Sequence, residues 1–175
     1  MIKHNEQANA HGWFTVEVFD KDGNLKWEDK FPNLVTTQGK NFLLDNGLAG
    51  SAYTATFYLG LISLVSYTAV AVGDTAAQIN GTNAWKEAGL ANAPTYTGNR
   101  KTAVWSAAAS GSKSLSAALS FAMTGSGTVK GAFLATTNTV DGTTGSLYSA
   151  GLFTSGDRSN ILSGDTINVT YSASL

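Results

Sequence analysis

Gly164-Asp165-Thr166-Ile167-Asn168-Val169-Thr170-Tyr171-Ser172-Ala173-Ser174 is the stretch on which the reading of this chain turns. After a Gly-Asp turn signal, Ile167, Val169, Tyr171 and Ala173 alternate with Thr166, Asn168, Thr170 and Ser172. Successive side chains of a strand point to opposite faces, so this period of two is that of a half-buried β-strand. Working back from it, the C-terminal half reads as strand after strand, near 100–108, 115–124, 127–137, 146–154 and 164–174. Gly111, Gly125, Gly127, Gly142, Gly145, Gly156 and Gly164 punctuate them. Turn signals at that spacing point to an all-β sandwich or barrel. No fixed internal period supports a solenoid or propeller.

The N-terminal part adds a hairpin. Phe14, Val16 and Val18 alternate with Trp13, Thr15, Glu17 and Phe19; Asp20-Lys21-Asp22-Gly23-Asn24 supplies the turn, and Leu25 to Phe31 returns, ended by Pro32. A helix is expected at 37–46, capped by Thr36 or Thr37, with Phe42-Leu43-Leu44 as its apolar face and Gly47 as its C-terminal stop. Residues 54–62 read as a buried strand. The segment 63–99 is less regular, with short helical turns expected after Asp74 and around Trp85-Lys86-Glu87-Ala88.

Composition narrows the function classes. The chain has 175 residues, enough for one domain, with 43% hydrophobic and only 13% charged residues and a net charge of −1. That balance speaks against a nucleic-acid partner. Without cysteine there is no disulfide framework and no thiol chemistry. No apolar run reaches a membrane span, and the polar start does not read as a secretory signal. Twelve of the 23 charged side chains fall in residues 1–45. The expected organisation is a flexible N-terminal arm at 1–12 and a single β-sandwich domain at 13–175.

Catalytic templates fail in turn. Asp20-Lys21-Asp22-Gly23 starts like a calcium loop, but Gly23 stands at position four rather than six, and Phe31 stands where the closing Glu belongs. His4 and His11, the two histidines, sit in the polar terminus without a third ligand. Ser110-Gly111-Ser112-Lys113 lacks the companion elements of the serine–lysine acyl-transfer enzymes and reads as a turn. Asp74, Glu87, Asp141, Asp157 and Asp165 read as caps and turns rather than paired catalytic acids. No enzyme activity, catalytic residue, metal or cofactor is therefore expected. Of the aromatic residues, Trp13, Trp27 and Trp105 are expected to be packed in strands. Tyr67, Trp85 and Tyr96, in the irregular segment, are expected to contact a partner.

Five stretches together resemble a known family: Phe31-Pro-Asn-Leu-Val-Thr-Thr-Gln-Gly-Lys-Asn41, Leu48-Ala-Gly-Ser-Ala-Tyr-Thr-Ala55, Gly131-Ala-Phe-Leu134, Gly145-Ser-Leu-Tyr-Ser-Ala-Gly-Leu-Phe153, and the closing Gly164 to Leu175. In these the chain resembles small virion structural proteins of tailed bacteriophages, of the head cement or decoration type. The resemblance runs from about Trp13 to the C-terminus and is weakest over 63–99. It implies an antiparallel, jelly-roll-like β-sandwich and a homo-oligomer on the capsid exterior, assembled in the host cytoplasm. It also implies the major capsid protein and further copies of the chain as partners, with no membrane contact. A tail-fibre-like or receptor-binding adhesin module for host glycans is the competing expectation.

Overall fold

Ile167, Val169 and Tyr171 are buried, whereas Thr170 is exposed. The alternation of the closing stretch is thus the inside–outside pattern of a real strand. The computed structural model describes residues 9–48, 56–80 and 85–175. Its elements in chain order are β1 (His11–Phe19), β2 (Leu25–Pro32), β3 (Leu34–Val35), α1 (Thr37–Leu48), β4 (Tyr58–Ser63), a 3-10 turn (Ala76–Gln78), β5 (Lys86–Ala88), β6 (Lys101–Thr102), β7 (Ser112–Ser114), β8 (Leu119–Ala122), β9 (Gly127–Ala135), β10 (Leu147–Leu152), β11 (Arg158–Ile161) and β12 (Thr166–Ser174). They build an antiparallel β-sandwich with one α-helix. The first sheet runs β2-β1-β12-β7, with β8 also on β12; the second runs β3-β10-β9-β4-β5, with β11 on β9 and β6 on β4.

The main core lies between the sheets. The first contributes Phe14, Val16 and Val18 from β1 against Val169 and Tyr171 from β12; the second contributes Leu59 and Leu61 from β4 and Leu134 from β9. A smaller cluster lies on the outer face of the second sheet: Ile62, Phe133, Ala135, Leu147 and Ala150, covered by Ile79 and Trp85 with Tyr67 and Val70 beside them. The irregular stretch after β4 is thus a cover. A sheet buried on both faces needs apolar residues at successive positions, which is why Leu59 to Ile62 shows no alternation.

Local chemistry sets the connections. The Asp20 carboxylate accepts the N–H groups of Asp22 and Asn24, both at 2.9 Å, and Gly23 supplies a φ of +85°. The Asn24 amide and N–H hold that carboxyl below its ordinary range. The turn is therefore closed upon itself as a hairpin. Thr36 is the helix cap, its Oγ1 accepting the Gly39 N–H at 3.0 Å. Ser110 and Gly111 both take positive φ and join residues 109 and 112, which exchange two backbone hydrogen bonds, as a two-residue hairpin turn.

Several expectations are corrected. The helix continues through Gly47 to Leu48, because a glycine weakens a helix by only about 1 kcal/mol and does not by itself stop it. Its apolar face is thin: Leu44 is exposed, and Gly39 is its one buried described residue. There the backbone approaches the Tyr148 carbonyl so closely that a Cβ has no room. Residues 86–88 form β5 rather than a helical turn, since pairing with β4 satisfies their backbone. The strand expected at 100–108 is only β6 and an isolated bridge at Trp105. The chain crosses there from the second sheet, where the Ala103 N–H bonds Phe57, to the first, where Trp105 lies opposite Leu115. The expected 115–124 strand contracts to β8, with β7 before it. Trp13 faces outward, 41% exposed under the Lys30 ammonium, because the inner face of β1 belongs to Phe14, Val16 and Val18. β1 begins at His11, within the expected arm, opposite Ser174. The rest of that arm, including His4, lies outside the described residues, as does most of the Leu48–Ala55 stretch.

The outer edge of β2 is fastened by the β10–β11 connection. Asp29 accepts from the N–H and hydroxyl of Thr154 (2.8 and 2.9 Å) and the N–H of Ser155 (3.1 Å). Lys26 donates to the Asn160 carbonyl and pairs with Asp165 at 2.6 Å. Arg158 donates to the Lys26 carbonyl. Burial alone would raise the Asp29 carboxyl, but the donors of Ser155 and Thr154 outweigh it and hold it below 3.8. A group so depressed stabilises the fold above its unfolded pKa and loses that contribution as the pH falls through its folded pKa. Asp29→Asn is expected to cost about 1 kcal/mol at neutral pH, little because the site is only half-buried. Unfolding curves against pH check this: the difference from the parent should close in acid, below the ordinary carboxylate range.

Candidate interaction site

The three aromatic residues expected to meet a partner fall in different places. Trp85 is fully buried, its ring tilted against Phe133 at 5.2 Å, and its indole N–H donates to Asp74 Oδ2 at 3.1 Å. Tyr96 is 5% exposed, edge-on to Phe121 at 4.9 Å. Both belong to the core, so their rings offer no surface in the folded chain. Tyr67 is half-buried under the Lys130 ammonium, 4.5 Å from its ring, and burial pushes its phenol up.

Burial pushes the Tyr96 phenol far above the ordinary tyrosine range, and among the described residues its hydroxyl has no hydrogen-bond partner. A buried hydroxyl without a partner carries its desolvation cost uncompensated. Tyr96→Phe is expected to stabilise the protein by about 1 kcal/mol, read as a higher denaturation midpoint with an unchanged slope.

The acids singled out from the sequence each have structural work. Asp74 holds Trp85 and the Ala71 N–H; Asp157 pairs with Lys130; Asp165 pairs with Lys26; Asp141 accepts the Ala91 N–H. Glu87 forms a two-pronged pair with Arg100, at 2.9 Å to Nε and 2.7 Å to Nη2, with neither side chain exposed. Arg100 also donates to the carbonyls of Thr137 and Gly142, and Glu87 accepts the Asp141 N–H. Burial pushes the Glu87 carboxyl up against the pull of Arg100. Together the pair ties the β9–β10 loop to the segment before β6.

The open feature is a cleft of about 440 Å³ between the sheets, at the end where β12 finishes. Its walls are Leu43 of α1, Phe57 ahead of β4, Tyr148 of β10, Tyr171 of β12 and Trp105. Phe57 stands 5.3 Å from Tyr148 and 6.3 Å from Trp105, and Trp105 stands 6.0 Å from Tyr171, all edge to face. Burial pushes both phenols up, and the Asn33 amide donates to the Tyr171 hydroxyl at 2.6 Å. The floor is therefore neutral at ordinary pH. Lys113 brings the one charged side chain to the lining. It is paired with Ala173, another cleft residue, so it lies on the inward face of β7. Sequence reasoning missed this site because its walls lie far apart in the chain; Trp105 was expected to be packed and is only half-buried.

A second, smaller hollow of about 200 Å³ lies along α1, lined by Gln38, Asn41, Phe42, Asp45, Asn46 and Ser146. Among the described residues no group of three His, Cys, Asp or Glu is placed to hold a metal ion, and no helix is long and apolar enough to cross a membrane. Comparison with family models, with curated proteins and with solved structures finds no match.

Proposed function

We propose that this chain is a non-enzymatic structural protein of a tailed-phage virion, a cement or decoration protein that binds the assembled capsid from outside and reinforces it. The observation that carries this reading is the aromatic cleft at one end of the sandwich, with Lys113 as the one charged side chain in its lining. Burying one large apolar side chain there contributes about 1.5–3 kcal/mol, and occupancy repeated over a lattice adds by avidity. The acids that could serve chemistry hold loops and lysines instead, which favours a rigid binding body. The family resemblance of the sequence supports the same reading, including the jelly-roll-like form of the sandwich, the major capsid protein and other copies of the chain as partners, and a place on the virion exterior. A protein that binds only the assembled shell stabilises it by mass action.

One observation favours the glycan-binding adhesin as second reading: the hollow along α1 combines amides, a carboxylate and the Phe42 ring, groups that suit sugar hydroxyls and a sugar face. The deciding experiment compares heads assembled with and without the protein. Cement function predicts earlier rupture of bare heads on heating and at low salt, restored by adding the purified chain. Equal survival, with the purified chain binding host polysaccharide, would establish the adhesin instead.

A further inference from the structure

Beyond the cleft lies a sheet edge that no described residue covers. Residues 104–109 run antiparallel to β7, the Ser106 N–H bonding Ser114 and the Ser116 N–H bonding Val104. The alternate N–H groups of Trp105 and Ala107 bond nothing among the described residues. No charged side chain lies between Lys101 and Lys113, and Val104 and residues 106–110 are exposed. Natural sheets protect such edges with charge or a covering loop. The opposite edge, at β2, has both, in Lys26, Asp29, the 153–157 connection and the start of β11. Trp105 and Ala108 belong to the free edge and to the cleft wall at once, so the two form one continuous surface. Lys113, its one charged side chain, has no ion-pair partner among the described residues.

We propose that this edge and cleft bind one extended segment of the capsid partner, which adds as a strand to residues 104–109, seats a large apolar side chain among Phe57, Trp105, Tyr148 and Tyr171, and sets a carboxylate against Lys113. This rests on the virion reading and names the chemistry of its partner. Main-chain bonds to the edge supply affinity, and the cleft with its lysine supplies selectivity. The charge pattern favours an acidic segment: a basic one would meet Lys113 with no carboxylate side chain in the lining to offset it.

Three exposed positions test the parts separately. Lys113→Glu reverses the charge, Ala108→Trp fills the mouth, and Ala107→Pro removes an edge N–H that bonds nothing among the described residues. Leu90→Glu, exposed outside the cleft, is the control, and circular dichroism verifies the fold of each. The first probe is 1-anilinonaphthalene-8-sulfonate, a planar apolar anion, followed by its fluorescence. Lys113→Glu and Ala108→Trp should weaken its binding at least about tenfold, a loss of about 1.4 kcal/mol, and Ala107→Pro should leave it unchanged. The second probe is co-sedimentation with heads assembled without the protein, where all three variants should lose at least about tenfold and Leu90→Glu nothing. Heads that bind the three variants as tightly as the parent overturn the proposal and leave the virion reading standing. Failure of the parent itself to bind heads overturns both. Self-association of Lys113→Glu or of Lys113→Ala in sedimentation velocity, with head binding unchanged, makes the lysine a guard against pairing between copies and likewise overturns it.

Discussion

Trp85→Ala is expected to lower the unfolding free energy by about 3–5 kcal/mol, the usual cost of emptying a fully buried tryptophan site. The indole packs on Phe133 beneath the cover of the second sheet, and its N–H is bonded to Asp74, itself nearly buried. Truncation therefore opens a cavity and removes a donor from a carboxylate with little access to water. A domain of ordinary stability, about 5–15 kcal/mol, would keep a thin margin. Chemical denaturation reads this directly, as a midpoint shift at constant slope. Trp85→Phe should fall between, keeping most of the packing and losing the bond. A Trp85 variant that failed to bind a partner would report a loosened fold rather than a missing contact. An unchanged midpoint for Trp85→Ala would refute the placement of this ring.

Arg100→Met is expected to cost about 3–5 kcal/mol as well, for a different reason: it strands the Glu87 carboxylate without a counter-charge in the interior. It also frees the carbonyls of Thr137 and Gly142, now held by the same guanidinium. The double variant Arg100→Met with Glu87→Leu should recover much of the loss, since replacing a buried pair by apolar residues is often neutral. The pH dependence follows in sign. Burial raises the Glu87 carboxyl, and without Arg100 only the Asp141 N–H is left to offset that rise. A raised folded pKa stabilises below the unfolded pKa and is lost as pH climbs through the folded one. Arg100→Met alone should therefore narrow its deficit in acid and widen it toward neutrality, as thermal unfolding from pH 4 to 8 would reveal.

What the sequence made legible was what short-range physics decides. β12 and the β1–β2 hairpin announce themselves by alternation, and Asp20 and Gly23 by turn chemistry. A threonine cap at 36 or 37 was legible too, and the structure chooses Thr36, whose hydroxyl lies three residues from the N–H it accepts. β7, β11 and β3 were invisible because they are short or polar and owe their extended form to a partner strand distant in sequence. Lys86-Glu87-Ala88 misled in the opposite direction: good helix formers by local preference, they are claimed by the edge of β4 and the Asn80 side chain, which accepts the Glu87 N–H. Trp85 and Tyr96 were assigned outward because their surroundings lack periodicity, yet a covering segment without regular structure buries its aromatics as firmly as a strand does. Neither the Glu87–Arg100 pair nor the cleft leaves a local signal. Leu43, Phe57, Trp105, Tyr148 and Tyr171 become neighbours only once both sheets have paired.

The fastening of β2 by Thr154, Ser155, Asn160 and Arg158 has a bearing on growth. Open-ended stacking of sheets requires each molecule to offer two complementary edges, one to receive and one to give. In the first sheet one of these is already occupied by the chain's own loop. Strand addition at the other side is a terminating event: it yields a pair or a plugged site and leaves no fresh edge on that sheet for a third molecule. A low-charge β-protein with an open sheet edge is an obvious candidate for runaway fibres. Here the same loop that holds Asp29 denies the first sheet a second open edge.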